Sequence, residues 1–229
     1  MRYWFSIICM LLYLASYAQQ VGDTLYRSPK GIKGHYNTIH IDRNPSPKFY
    51  KAIGNLDISK EDSTKYLQSL GFLKFANTYN GKNVVADLPQ KWVSLEMYRD
   101  SFYLYYMPCY LRQQGAISFS DSVFIYHTQH YPILQSINEL SRIDSSTFQF
   151  QLLSVNKNSS LLTIHIIDIL KGIAIFEEHY FGNVSYYPMI DANKLQAVPM
   201  IVNFCLGADG SAMTFDFPKV DFSKFIPKK

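Results

Sequence analysis

The sequence predicts an all-β protein: a mainly antiparallel meander, closed as a barrel or stacked as a sandwich, with one α-helix near its N-terminus. Three observations carry this. From Val84 onward the apolar residues recur at every second position through a series of short segments. Turn-forming clusters separate those segments at hairpin spacing. Helical spacing is clearest in one stretch, around residues 59–70. Short strands with one apolar face each must bury that face against a second sheet or close on themselves.

In chain order, residues 1–18 come first. Arg2 precedes an apolar run over residues 3–15, and Ser16 and Ala18 stand at −3 and −1 of a cut after Ala18. This is the pattern of a secretory signal peptide, with an apolar core short for a membrane span. Cys9 lies inside it without a lipobox, and no later segment is long and apolar enough to span. Residues 19–56 are polar and punctuated by Pro29, Gly31, Gly34, Pro45 and Pro47. They read as an extended lead-in with one strand around "YNTIHI". A single β-rich domain over residues 57–229 follows. Its helix starts at a capping-box pattern, Ser59 with Asp62, continues with Tyr66, Leu67 and Leu70 at helical spacing, and has Gly71 as its stop.

The strand candidates are "VSLEMY", "AISFS", "VFIYH", "TFQFQLL", "LLTIHII", "IAIFEEHY", "PMIVNFCL" and "AMTFDF". "PILQSINELSRID" breaks the alternation and reads as a short helix or a long loop. Asp209-Gly210 is a strong hairpin signal between the last two strands.

Two hairpins allow a register to be worked out. If Arg99-Asp100 form a two-residue loop, Tyr98 pairs with Ser101, Met97 with Phe102, Leu95 with Leu104 and Val93 with Tyr106. Phe102, Leu104 and Tyr106 then face the interior. Tyr103 and Tyr105, with Trp92, form an outer aromatic strip, to be covered by the helix or used as a partner surface. If residues 168–172 form the other loop, Ile167 pairs with Ile173, His165 with Ile175, Thr163 with Glu177 and Leu161 with His179. Directly opposed residues share a face, so His165, Glu177 and His179 form a polar stripe that is the candidate metal or proton-transfer cluster. An ordinary solvated sheet face explains the same stripe.

The formal charge of the chain is +4, lowered by one if Arg2 leaves with the leader. No helix concentrates the basic residues, so a nucleic-acid surface is not expected. No Gly-x-Ser-x-Gly elbow, phosphate loop or dinucleotide fingerprint is present, and no cofactor or catalytic residue is assigned. His127 and His130 lack the further ligands a zinc site needs. After leader removal Cys109 and Cys205 remain, and an even number in an oxidising compartment suggests one disulfide, with two buried thiols as the alternative.

Residues 82–217 resemble a lipocalin-type (calycin) barrel in strand number, size and secretion. "DLPQKW" stands where that family carries Gly-x-Trp. The resemblance implies a cavity for a small apolar ligand. The interior candidates for its walls are Phe102, Leu104, Tyr106, Phe148 and Phe150. The expected function is therefore an exported, non-enzymatic binding protein, sited in a Gram-negative periplasm or outer envelope or released from the cell. The alternative is an envelope or secreted interaction module with a filled core and an exposed aromatic patch.

Overall fold

The computed structural model describes residues 24–27, 38–58, 60–75, 88–107, 115–120, 122–128, 132–204 and 215–227. Eight strands form a closed barrel: β3 (Lys91–Ser94), β6 (Ala116–Phe119), β7 (Val123–His127), β8 (Pro132–Arg142), β9 (Thr147–Leu153), β10 (Ser159–Asp168), β11 (Ile173–Tyr180) and β12 (Asn183–Asp191). Each pairs antiparallel with the next in chain order, and β12 closes on β3 through Ile190 opposite Val93. The barrel is thus an up-and-down meander, and closure leaves it no free edge.

Alternation along these strands sends Trp92, Phe119, Phe124, Phe148, Phe150, Leu162, Ile164, Phe176 and Met189 into the lumen, where they are buried. Their rings pack at angled or offset geometry, with Trp92 5.2 Å from Phe176 and Phe119 5.2 Å from Phe150. This part of the barrel is a packed core.

A second sheet has the order β1 (Thr24–Arg27), β2 (Thr38–Asp42), β13 (Met200–Phe204), β5 (Ser101–Tyr106) and β4 (Glu96–Tyr98). It lies against the outside of the barrel. The barrel's outward-facing Val93, Ile173 and Ile190 meet Leu104, Met200 and Val202 of this sheet. Phe49, Tyr50 and Ile53 of helix α1 (Pro47–Gly54) complete that layer. The longer helix α2 (Lys60–Phe75) sets Tyr66, Leu70 and Leu73 over Val123, Ile125 and Leu134, on the outer wall of β7 and β8.

Several sequence-based expectations change here. "VSLEMY" is not one strand. Pairing breaks at Leu95, so β3 stays in the barrel while the β4–β5 hairpin leaves it. The hairpin itself forms as expected, with Arg99 and Asp100 at φ 47° and 59°, as a two-residue primed turn requires, and Tyr98 opposite Ser101. Beyond it, however, Val93 pairs with Ala116 and Leu104 runs parallel beside Met200.

"PILQSINELSRID" is strand β8, neither helix nor loop. A bulge between Ile137 and Glu139 puts Ile137 opposite Leu152 and Leu140 opposite Phe150. Two residues three apart thus face inward together, which imitates helical spacing. The lead-in contains the strand expected around "YNTIHI", as β2, and beyond that expectation β1 and α1, the last with proline in its first turn, where proline's missing N–H costs no hydrogen bond. Helix α2 runs through Gly71 to Phe75, beyond the expected stop. The expected Asp209–Gly210 turn falls outside the described residues, as do Cys109 and Cys205 with their proposed disulfide.

A polar layer inside the barrel as candidate functional site

One group of lumen-facing side chains is not apolar. Tyr126 on β7 lies opposite Ile117 and therefore points inward. Glu178 on β11 lies opposite Leu162, and Tyr187 on β12 opposite Phe176, so both also point inward. The Tyr126 hydroxyl donates to Glu178 Oε1 at 2.8 Å and the Tyr187 hydroxyl donates to Oε2 at 3.3 Å. In the closed ring β7 and β11 are four strands apart among eight, so the Tyr126–Glu178 bond spans the lumen. Burial pushes both hydroxyls far above the ordinary phenol range, and the neighbouring Glu178 raises them further. They are neutral donors at any physiological pH.

Two further polar side chains belong to this level. Gln135 on β8 is opposite Phe124, and Ser160 on β10 is opposite Leu152, so both face the lumen. Barrel strands tilt by about 40°, which offsets residues of one level along successive strands. Allowing for that offset, the registers put Gln135 and Ser160 level with the Tyr126–Glu178 bond. Gln135 is 9% exposed and Ser160 2%. Among the described residues neither Gln135 Oε1 nor Ser160 Oγ has a hydrogen-bond partner. Buried polar atoms are nearly always bonded, because losing water without replacement costs about 1–3 kcal/mol each.

This layer leaves almost no local trace in the sequence. Glu178 lies beside the noticed Glu177 on the strand's other face, and its phenol donors are 52 and 9 residues away. Its one sequence signal is the carboxylate in phase with Ala174 and Phe176, an ionisable side chain on the apolar face of a strand.

The outer stripe forms with the expected register: His165 opposite Ile175, Thr163 opposite Glu177 and Leu161 opposite His179. The loop differs in detail, since Asp168 rather than Ile167 pairs with Ile173, across a bulge. His165 Nε2 is 3.0 Å from Glu177 Oε2, and His179 Nε2 is 2.6 Å from Oε1. Burial pushes the Glu177 carboxyl up, but the hydrogen bonds from His179 and His165 outweigh it and hold it below the ordinary carboxylate range. The two imidazoles bond opposite oxygens of one carboxylate. Among the described residues no group of three or more His, Cys, Asp or Glu side chains is placed to hold a metal ion.

The remaining sequence-selected residues divide between layers. Phe148 and Phe150 lie in the lumen. Phe102, Leu104 and Tyr106 do not; they fill the layer between barrel wall and second sheet, because the β4–β5 hairpin leaves the barrel at Leu95. Trp92 does not join Tyr103 and Tyr105 in an outer strip. It is fully buried in the lumen, with its indole N–H donating to the Pro89 carbonyl at 2.6 Å. Tyr103 is buried with Ile39, Ile41 and Ile201. Tyr105 is covered by Phe217 of the C-terminal segment at 5.2 Å and accepts a hydrogen bond from Asn203 Nδ2 at 2.7 Å. That segment, rather than a helix, covers the strip. His127 is buried on the outer side of β7 and bonded to Ser118 at 2.7 Å, whereas His130 lies outside the described residues.

No described helix is long and apolar enough to cross a membrane. Comparison with protein-family models, curated proteins and solved structures finds no match for this chain.

Proposed function

We propose that the chain is an exported, non-enzymatic binding protein that holds a small ligand at the polar layer of its barrel. The observation that carries this reading is the pair of buried, unpartnered polar atoms, Gln135 Oε1 and Ser160 Oγ, level with the Tyr126–Glu178–Tyr187 network. Ligand sites are mostly apolar concavities with a few polar groups that converge to fix orientation, and this layer has that composition. An eight-stranded up-and-down barrel is compatible with the lipocalin-type resemblance. The aromatic packing of the lower lumen favours a compact ligand near the polar layer over a long one threaded through the barrel. Export to a Gram-negative envelope or beyond is part of the same reading and rests on the leader pattern of residues 1–18.

The interaction-module alternative has less support, since Trp92, Tyr103 and Tyr105 do not share an exposed surface. Native mass spectrometry of the protein purified undenatured from its own host tests the proposal. A co-purifying small molecule, released by Glu178→Gln, is the expected result. A bare chain mass with no thermal shift across a panel of small amphiphiles counts against it.

A further inference from the structure

We propose that the polar layer takes the protonated primary amine of a small, partly apolar compound. This rests on the binding reading above and names the ligand's head group. The layer's acceptors are the two Glu178 oxygens, Gln135 Oε1 and the Ser160 hydroxyl oxygen. The phenol donors of Tyr126 and Tyr187 are both directed at Glu178, and the layer's other donors are the Ser160 hydroxyl and the Gln135 amide N–H groups. Gln135 Oε1 can only accept, so whatever satisfies it must donate. Among the described residues Glu178 has two phenols as partners and no Lys, Arg or His. Glu178 is half-buried, and a carboxylate held there by neutral donors alone has no countercharge among the described residues.

A primary ammonium meets both needs. It carries three N–H donors and one positive charge. A neutral alcohol offers one donor and no charge, and a carboxylate ligand brings like charge to Glu178. The surroundings also suit a cation. Tyr126 packs 4.9 Å from Phe124, and Tyr187 5.8 Å from Phe176, so the two phenols that hold the carboxylate stand in an aromatic setting. Toward the rim, Ile133 and Tyr180 are lumen-facing and partly exposed, which offers apolar contact for the rest of the compound.

The test is a matched series: phenethylamine, phenethyl alcohol, 3-phenylpropanoate and phenethyltrimethylammonium. Binding is read by calorimetry and by emission of Trp92, buried in the lumen; the other tryptophan, Trp4, lies in the expected leader. The amine is expected to bind about tenfold or more tighter than the alcohol, with no binding of the propanoate. The trimethylammonium, charged but without N–H donors, falls between amine and alcohol. Glu178→Gln weakens the amine about 10- to 100-fold and leaves the alcohol unchanged. The exposed Glu139→Gln changes neither.

Equal binding of amine and alcohol, tightest binding by the propanoate, or an unchanged amine affinity in Glu178→Gln overturns the head-group assignment. In those cases the binding reading stands, because a ligand still binds. Should no member bind, and the host-purified protein carry no ligand, both fall. If Glu178→Gln does not fold, Ser160→Ala and Gln135→Leu serve in its place, each expected to weaken the amine and not the alcohol. A crystal structure grown with the amine that holds only water between Gln135, Ser160 and Glu178 also overturns the assignment.

Discussion

Where β3 and β12 meet the second sheet, the barrel wall is apolar on both faces, yet the two layers end differently. On β3, Trp92 points into the lumen while Val93 points out to the second sheet. On β12, Met189 and Ile190 divide the same way. The outer layer is closed by α1, by β5 and β13, and by the short 3-10 helix Leu195–Ala197, around Val93, Leu104, Ile190 and Met200. The inner layer is equally dense around Phe150 and Phe176, then changes to Tyr126, Gln135, Ser160, Glu178 and Tyr187. Among the described residues the two buried side-chain atoms without partners, Gln135 Oε1 and Ser160 Oγ, both face the lumen and neither lies in the interlayer core, which is why the proposed site is placed in the lumen.

This contrast can be broken or sharpened by substitution. The largest effect is expected in the apolar lumen. Phe176→Ala should cost about 3–5 kcal/mol, read by urea denaturation, because a fully buried ring is removed from a rigid wall. Leu104→Ala in the interlayer core should cost about 2–4 kcal/mol by the same measurement. If it costs less than about 1 kcal/mol, the second sheet is not packed on the barrel as described. Phe217→Ala, which uncovers Tyr105, should cost about 1–2 kcal/mol and leave ligand binding intact.

The polar layer should respond with the opposite sign. Ser160→Ala removes a buried hydroxyl that has no partner among the described residues, so it should stabilise the free protein by up to about 1 kcal/mol while weakening the ligand. A loss of stability instead would mark Ser160 as a structural residue held by water. The smallest effect concerns the outer stripe. The Glu177 carboxyl sits below its ordinary value of 4.5 in the folded chain, so its contribution is present above that pH. It is lost as pH falls through the lower folded value. The stability gap between the native chain and Glu177→Gln should therefore close in that acid range and stay under about 1 kcal/mol above it.

The parts of the structure legible in the sequence are those set by neighbours along the chain. Alternation in "TFQFQLL" and "LLTIHII" gave the strands and their inward residues, Phe148 and Phe150 among them. Turn chemistry gave the Arg99-Asp100 hairpin and the pairing of Thr163 with Glu177. Less was legible wherever a strand has two buried faces. "WVSLEM" looks continuous because a core lies on each side of it, and nothing local marks Leu95 as the point where the chain changes sheets. The bulge in β8 likewise shifted the period from two to three and imitated a helix.

The sequence by itself determined an all-β meander, its approximate strands and the outer His165–Glu177–His179 stripe, since these follow from periodicity and short loops. Only the tertiary structure decided that the sheet closes, that Trp92 is inside, and that the C-terminal segment covers Tyr105. It alone joined Tyr126 to Glu178 across the lumen. Closure brings strands four apart in the ring face to face, and a contact made across a barrel leaves no spacing in the sequence from which to read it.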